Sequence, residues 1–166
     1  ESVLKHAAPR ALGGRGFAAL TLHRPSNVDN ASVLERLLKT LSDIGAQIPI
    51  VFPVHPRTRD RIVKFKLEHL LDGRRIIALP PAGYLEMLGL MHAARMVLTD
   101  SGGIQEETTA LGVPCLTLRE NTERPITAEE GTNTVVGQDP ERITAAVDDV
   151  MKTGGKKGRI PDLWDG

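Results

Sequence analysis

The sequence predicts a doubly wound, Rossmann-like α/β domain built on a parallel sheet. Three observations favour this class. Short apolar runs recur without polar alternation, which is typical of strands that helices cover on both faces. Segments with apolar residues at helical spacing separate these runs, and strands that alternate with helices favour parallel pairing. Polar or glycine-rich stretches follow several of the runs, at the sheet edge where open parallel sheets bind ligands.

The elements follow one another as strand and helix units. The first strand is predicted at 17–22, and the first helix carries apolar residues from Val33 to Ile44 after the cap candidates Asp29 and Asn30. Three further units keep this order: a strand at 48–54 with a helix at 58–71, a strand at 76–79 with a helix at 84–93, and a strand at 96–99 with a helix at 104–111.

Two strands and a helix complete the prediction. The strands lie at 114–118 and 133–136, and the helix at 140–152 begins at Pro140, where the missing N–H costs little. We expect one domain over 1–153 and a flexible tail over 154–166, since glycine and lysine without an apolar period dominate there. The tail charges are interpreted as solvated surface, with phosphate contact as the alternative. Because Trp164 has no following helix to bury it, we expect the chain to be a portion of a longer protein.

Composition excludes several classes of function. Of 166 residues, 40% are hydrophobic and 25% are charged, which suffices for one good core. Lys plus Arg equals Asp plus Glu at 21 each, so we expect neither a nucleic-acid nor a membrane partner. The sequence has no apolar run of membrane-spanning length and no signal peptide, and we predict a cytoplasmic protein. The single cysteine, Cys115, is predicted to be a buried strand residue, and one cysteine alone excludes disulfides within the chain and cysteine metal sites.

The run 98–107 is the most informative stretch, because an apolar strand stops there at a glycine-rich turn and a helix begins at once. Ser101, Gly102 and Gly103, hereafter the phosphate seat, carry no bulky side chain that would block backbone approach. The first helical turn offers unpaired N–H groups and a partial positive charge. The stretch therefore predicts a diphosphate site; the alternative is a turn that only lets the helix pack against the sheet.

Protonatable and cationic side chains follow other strands of the same sheet. His23 and Arg24 end the first strand, and His55 and Arg57 follow the second. Arg119 and Arg124 follow the fifth strand with Glu123 between them, so the fold is expected to bring these groups to one rim, where they suit a diphosphate leaving group. His23 is interpreted as a general acid, a phosphate donor or a loop histidine satisfied by backbone. The other histidines are interpreted as structural: His6, His69 and His92.

Two carboxylates stand in the first helical turn after the phosphate seat. Glu106 and Glu107 are both favoured there by the helix dipole alone. One of them is a candidate for the ribose, because a vicinal diol needs a bidentate acceptor. No set of histidines and carboxylates has the spacing of a closed metal site, so no metal is expected.

Four polar stretches stand in one order along the chain, at 21–29, 52–58, 100–107 and 122–125, followed by Gly131, Val136 and Gly137. In this order they resemble the carboxyl-terminal half of the non-hydrolysing UDP-N-acetylglucosamine 2-epimerases over nearly the whole chain. The resemblance implies one half of a glycosyltransferase-B-like (GT-B) enzyme that interconverts UDP-N-acetylglucosamine and UDP-N-acetylmannosamine without NAD or metal. In the implied mechanism, anti elimination of UDP gives 2-acetamidoglucal, and UDP adds again after C2 is protonated on the other face.

The resemblance also implies roles for single residues. His23 is the implied catalytic-site histidine near the diphosphate, and Arg24 and His55 line the region of the substrate or of a regulatory nucleotide sugar. The implied phosphate ligands are Ser101, Gly102, Gly103 and Arg124, with Glu107 at the ribose. The chain departs from the family at Met87, where relatives more often place an aromatic residue near the uracil; methionine packs more softly and does not stack.

A larger departure concerns the other half of the enzyme. The resemblance implies an amino-terminal Rossmann-like domain that carries the carboxylates for acid and base work at C2, and this chain lacks it. We therefore expect the chain alone to be inactive and to bind UDP more weakly than the intact enzyme, which the resemblance implies is a homodimer. The alternatives are a glycosyltransferase of the same architecture, a hydrolysing epimerase that releases free N-acetylmannosamine, and a stand-alone sensor of UDP-sugars.

Overall fold

Six parallel strands form the sheet of the computed structural model, which describes residues 16–162 and Trp164. The strands are β1 (Ala18–Thr21), β2 (Ile50–Pro53), β3 (Ile76–Leu79), β4 (Met96–Thr99), β5 (Cys115–Thr117) and β6 (Asn133–Val135). Their order is β3-β2-β1-β4-β5-β6, and every neighbouring pair is parallel. The chain thus winds outward in both directions from the boundary between β1 and β4, which confirms the predicted fold class.

Helices connect these strands and cover both faces of the sheet. In chain order they are α1 (Pro25–Val28), α2 (Ala31–Gly45), α3 (Pro56–Lys64), α4 (Tyr84–Ala93), α5 (Gly102–Leu111), α6 (Pro125–Glu129) and α7 (Pro140–Thr153), with a 3₁₀ turn at Glu68–Leu70. Alternate residues of one strand enter different cores, since Ala18 and Leu20 pack among residues of α2 and α7, whereas Ala19 packs with residues of α4. Burial on both faces explains the continuous apolar runs of the sequence.

The predicted helix at 58–71 is wrong as a single element. Helix α3 ends at Lys64, and Lys66 adopts a left-handed backbone conformation with φ of 58° before the short 3₁₀ turn. Leu67 is nevertheless buried, and Leu70 and Leu71 pack against the same core, so the apolar spacing continues through the break. Periodicity alone does not reveal a break that preserves the buried face.

Two short helices of the structure are not predicted from the sequence. Helices α1 and α6 have four and five residues, which is too short for an apolar period, and each begins at a proline. Helix α5 also starts earlier than predicted, at Gly102 rather than at residue 104. The phosphate seat therefore belongs to the helix end itself.

Cys115 is fully buried, as predicted, and burial raises the pKa of its thiol to about 12. His69 and His92 are exposed and lie outside the cleft described below, whereas His6 lies outside the described residues. The segment after α7 makes contacts of its own. The Lys156 ammonium donates to the carbonyl oxygens of Ala128 and Asn133, so this charge is not simply solvated; the flexibility of 154–166 stays a prediction.

Candidate functional site

The candidate site lies where the chain leaves β1 and β4, the two strands at the switch point of the sheet. These strands pair in register from Ala18 with Met96 to Thr21 with Thr99, and the hydroxyl groups of Thr21 and Thr99 hydrogen-bond to each other. The residues that follow them, His23 and Asp100, are consequently held side by side. This is the crevice at which doubly wound sheets bind ligands.

Asp100 organises the beginning of this site. Its side chain is fully buried, and its carboxylate accepts hydrogen bonds from the backbone N–H of His23 at 3.0 and 3.1 Å and of Arg24 at 2.9 Å. The side-chain amide of the buried Asn27 donates to the same carboxylate at 3.1 Å. The His23 ring also lies against this carboxylate, with 3.1 Å between its Nδ1 and Asp100 Oδ1. The carboxylate therefore ties the end of β1 to the end of β4.

The phosphate seat has open hydrogen-bonding capacity. Ser101 is the N-cap of α5, and no side chain of the described residues caps this helix. A Cβ at Gly103 would meet nothing within 4 Å, and one at Gly102 would meet only atoms of Glu123 and Arg124 at 3.8 Å. The N–H of Ser101 already donates to Thr99 Oγ1 at 3.0 Å, so this residue offers its hydroxyl, while the two glycines offer backbone N–H groups.

Carboxylates pair with the arginines around the phosphate seat. Glu123 accepts from Arg24 at 3.0 Å and from Arg119 at 3.2 Å, and these two arginines hold the pKa of its carboxyl below its usual value. Glu106 pairs with Arg124 at 2.8 Å. Among the described residues, the buried Nε of Arg24 and the buried Nη1 of Arg119 have no hydrogen-bond acceptor. Guanidinium donors left in this way favour an added acceptor such as an anion.

A buried amide network joins the phosphate seat to the loop that carries Arg124. The Nε2 of the fully buried Gln105 donates to the carbonyl of Ser101 at 3.2 Å. Its Oε1 accepts from the hydroxyl of Thr122 and from Asn133 Nδ2. The Thr122 hydroxyl in turn accepts from the backbone N–H of Arg124 at 2.9 Å. One glutamine thus fixes the start of α5 relative to the start of α6.

A cleft of about 210 Å³ opens beside these groups. The rings of His23 and His55 lie 5.6 Å apart between centroids, and Met87 and Ile104 contribute apolar surface. The residues that line the cleft come from both sides of the switch point: Thr21, Leu22, His23, Pro53, His55, Pro81, Ala82, Met87, Ser101 and Ile104. The cleft therefore combines an apolar end with a polar end, as small-molecule sites do.

Glu107 lies on α5, one turn beyond the phosphate seat, and does not line the cleft itself. Burial raises the pKa of its carboxyl, and a hydrogen bond from the Tyr84 hydroxyl opposes this shift. Tyr84 is the first residue of α4 and is largely exposed, so this pair bridges α4 and α5 at the molecular surface.

The structure brings most of the sequence-predicted residues to one rim. His23, His55, Met87 and Ser101 line the cleft. Gly102 and Gly103 begin α5 as part of the phosphate seat, Arg124 and the partner of Arg24, Glu123, lie beside Gly102, and Glu107 lies further along the same helix. Arg57 instead pairs with Asp29, as does Arg61 at 3.0 Å. Sequence reasoning did not assign roles to three buried polar residues: Asn27, Asp100 and Gln105. A charged or amide residue inside an otherwise apolar or small-residue motif is the only sequence signal for them.

Within the part of the chain that the structure describes, no group of three or more histidine, cysteine or acidic side chains is arranged to hold a metal ion. Over the same residues, no helix has the length and apolarity that crossing a bilayer requires.

These features define a doubly wound α/β domain with an uncapped helix N-terminus beside a histidine-lined cleft at its switch point. The family model described as UDP-N-acetylglucosamine 2-epimerase matches residues 2–165, and the chain belongs to this family. The family predicted from the polar motifs is thereby confirmed.

Individual relatives agree with this assignment. The chain is 44% identical over 140 residues to UDP-N-acetylglucosamine 2-epimerase of Methanococcus maripaludis, a match that covers 82% of this chain and 38% of the relative. The enzyme of Methanocaldococcus jannaschii is 46% identical over 135 residues, covering 80% and 37%. The chain therefore spans less than half the length of these relatives.

Solved structures show the same architecture. The Methanocaldococcus jannaschii UDP-GlcNAc 2-epimerase in complex with UDP-GlcNAc and UDP superimposes with a TM-score of 0.80 at 41% identity, covering 88% of this chain and 41% of that one. The Neisseria meningitidis enzyme bound to UDP-GlcNAc gives a TM-score of 0.75 at 28% identity, covering 90% and 40%.

Proposed function

We propose that this chain is the UDP-binding, carboxyl-terminal half of a non-hydrolysing UDP-N-acetylglucosamine 2-epimerase. The observation that carries the proposal is the uncapped start of α5, where Ser101 lines one cleft with His23 and Gly102 lies beside Arg124, in a chain of this family. The reaction is the interconversion of UDP-N-acetylglucosamine and UDP-N-acetylmannosamine through elimination and re-addition of UDP. A solved relative in complex with UDP-GlcNAc and UDP supports this ligand class.

The diphosphate is assigned to the phosphate seat. The backbone N–H groups of Gly102 and Gly103 and the hydroxyl of Ser101 supply directed donors, and the dipole of α5 favours the negative charge. Arg24 and Arg124 reach the same region through ion pairs with Glu123 and Glu106. Because exposed carboxylate pairs contribute little free energy, a diphosphate competes for these guanidinium groups at small cost.

Breaking the bond between C1 and the UDP oxygen places negative charge on the departing diphosphate. Donors and cations that gain strength as this charge develops lower the barrier, so the seat and His23 serve catalysis as well as binding. We assign removal and return of the C2 proton to carboxylates of the other half of the enzyme. The chain alone is therefore expected to bind UDP without epimerising its sugar.

The nucleoside is assigned to the apolar end of the cleft. Met87 offers soft packing against the uracil in place of aromatic stacking. Glu107 is assigned to the ribose hydroxyl groups, which requires the bond from Tyr84 to be exchanged or shared. The His55 ring lies 5.6 Å from the His23 ring in the same cleft and is assigned to the sugar side of the cleft or to a regulatory nucleotide sugar.

Titration of the chain with UDP by calorimetry tests the assignment of the phosphate seat. We expect saturable binding by the wild type and its loss in Ser101→Trp, because the indole fills the space in front of Gly102 and Gly103. Ser32→Trp is the matched control, since Ser32 stands at the exposed start of α2, a second helix N-terminus away from the cleft. Equal binding by the wild type and Ser101→Trp would exclude the phosphate seat as the UDP site.

The assignment of the reaction requires a separate assay. Incubation of the chain with UDP-N-acetylglucosamine, followed by NMR of the anomeric protons, is expected to show no UDP-N-acetylmannosamine. The full-length enzyme is expected to form that product without free N-acetylmannosamine. Release of the free sugar would instead favour the hydrolysing epimerase, and turnover by the chain alone would contradict the division of labour between the halves. The roles of a homodimer and of the second domain stay part of this proposal.

A further inference from the structure

Asp100 occupies a position between the proposed catalytic histidine and the phosphate seat. It follows β4 directly and precedes Ser101, yet its carboxylate faces the end of β1. Oδ2 accepts from the backbone N–H of His23 and Arg24 and from Asn27 Nδ2, at 3.0, 2.9 and 3.1 Å. Oδ1 accepts from the His23 backbone N–H and lies 3.1 Å from its Nδ1. The carboxylate is fully buried and faces nitrogen donors on both oxygens.

We propose that Asp100 is a positioning residue that holds the His23 ring as the Nδ1–H tautomer and points its Nε2 toward the diphosphate. This inference rests on the proposed function of the cleft. Asp100 does not line the cleft, so it acts through His23 and not on the substrate.

The tautomer follows from the inventory of donors. An ionised carboxylate only accepts hydrogen bonds, so the ring nitrogen that faces Oδ1 must carry a proton. A proton on either carboxylate oxygen would oppose the backbone and amide N–H groups that already point there. The neutral ring therefore carries its proton on Nδ1 and leaves a lone pair on Nε2, on the side of the ring away from Asp100.

The same contact favours catalysis of UDP departure. When the ring takes a second proton, the buried carboxylate balances the charge of the imidazolium, and Nε2–H becomes a donor for a phosphoryl oxygen. Asp100 fixes the ring and the backbone of Arg24 together, and it is covalently joined to the phosphate seat. Ring, arginine and seat thus keep one relative position, which a charge-stabilising site requires before charge develops.

Long-range ¹H–¹⁵N NMR spectra of the labelled chain at pH 8 test the proposal, with His23→Gln used to identify the His23 signals. We expect a protonated Nδ1 and an unprotonated Nε2 in the wild type. In Asp100→Asn, the amide oxygen is expected to take the Oδ2 position, which has more donors. The amide NH₂ then faces His23 Nδ1 and requires the Nε2–H tautomer, so the two nitrogen signals exchange their character.

UDP titration of the same variants gives a second readout. We expect the Kd of Asp100→Asn to rise roughly tenfold, the effect of one lost charge-assisted hydrogen bond. Asp72→Asn is the matched control, because Asp72 accepts from three backbone N–H groups, of Arg74, Arg75 and Ile76, and no histidine is its partner. We expect this control to change neither the His23 signals nor the Kd.

An Nε2–H tautomer in the wild type would overturn the proposal, and this result does not depend on whether Asp100→Asn folds. A folded Asp100→Asn with unchanged His23 signals and unchanged Kd would also overturn it. If the wild type binds no UDP, the proposed function of the cleft fails, whereas the tautomer still decides whether Asp100 positions His23. The two failures are therefore distinguishable.

Discussion

Replacement of Gln105 by leucine tests whether the buried amide network stabilises the site. The change keeps the approximate volume of the side chain and removes its three hydrogen bonds, with Ser101, Thr122 and Asn133. Asn133 keeps one bond from Nδ2 to Thr127 Oγ1, at 3.0 Å, and loses the other. The half-buried Thr122 hydroxyl can turn to water.

The expected loss of stability can be worked from these contacts. One orphaned, buried N–H of Asn133 costs about 1–3 kcal/mol, and each of the other two bonds contributes about 1 kcal/mol. Burying the leucine in place of an amide returns about 1 kcal/mol. The free energy of unfolding should therefore fall by roughly 2–4 kcal/mol, which lowers the Tm of a domain of this size by about 5–15 °C.

Urea and thermal unfolding followed by far-UV circular dichroism measure this change, with Gln47→Leu as the control at an exposed position on the same chain. The control is expected to stay within about 0.5 kcal/mol of the wild type. UDP affinity should also fall in Gln105→Leu, because Thr122 no longer fixes the backbone of Arg124. A Tm equal to that of the control would refute the contribution assigned to the network.

Three further predictions concern burial and close packing. The native Cys115 thiol should resist iodoacetamide at pH 8 and react after unfolding, because burial covers it and raises its pKa to about 12. Rapid alkylation of the native chain would contradict this prediction. Gly131→Ala should lower the free energy of unfolding by about 1–3 kcal/mol in urea titrations, because the added Cβ would meet Thr109 Cγ2 at 2.6 Å and the Thr127 carbonyl oxygen at 2.7 Å. An unchanged urea midpoint would show that these neighbours move aside without cost. Glu107→Gln should raise the Tm at pH 7 while weakening UDP binding. Burial raises the folded-state pKa of Glu107 above its usual value of 4.5, so ionisation of this carboxyl opposes folding above the folded-state pKa and stops doing so as the pH falls below 4.5. An increase in Tm that persists unchanged at pH 4 would contradict the electrostatic cause.

The sheet could be predicted from the sequence because its physical causes are local and repeated. Strands covered on both faces give apolar runs, and the helices between them give a regular apolar period. The errors have equally local causes. The left-handed Lys66 interrupts the backbone without interrupting the buried face, and α1 and α6 are too short to show a period.

The candidate site was predicted through its charged and glycine residues, whereas its buried polar residues were not. Ser101 and Gly102 are informative in sequence because small residues between a strand and a helix leave the helix N-terminus open to a ligand. His23 is informative because it follows a predicted strand and is therefore placed at the ligand-binding edge of the sheet. The partners of Asp100 lie at least 73 positions away in the chain, and Gln105 reaches Thr122 and Asn133 at 17 and 28 positions, so no local pattern reports these contacts. Fold-level placement at the strand ends was needed to show that these partners meet.

The pairing of cations with carboxylates around the phosphate seat bears on how a diphosphate would bind. Glu123 pairs with Arg24 and Arg119, and Glu106 pairs with Arg124. These carboxylates offset the repulsion between the guanidinium groups near the start of α5. A diphosphate carries more charge than either carboxylate. It would also accept hydrogen bonds from the backbone N–H groups of the phosphate seat, which Glu123 does not use. When a diphosphate replaces the carboxylates, the net free energy from the arginines is only the difference between their contacts with the diphosphate and their contacts with Glu123 and Glu106. The contacts with the start of α5 replace nothing and contribute in full. For this reason the phosphate seat, and not the arginines, is expected to supply most of the affinity for UDP.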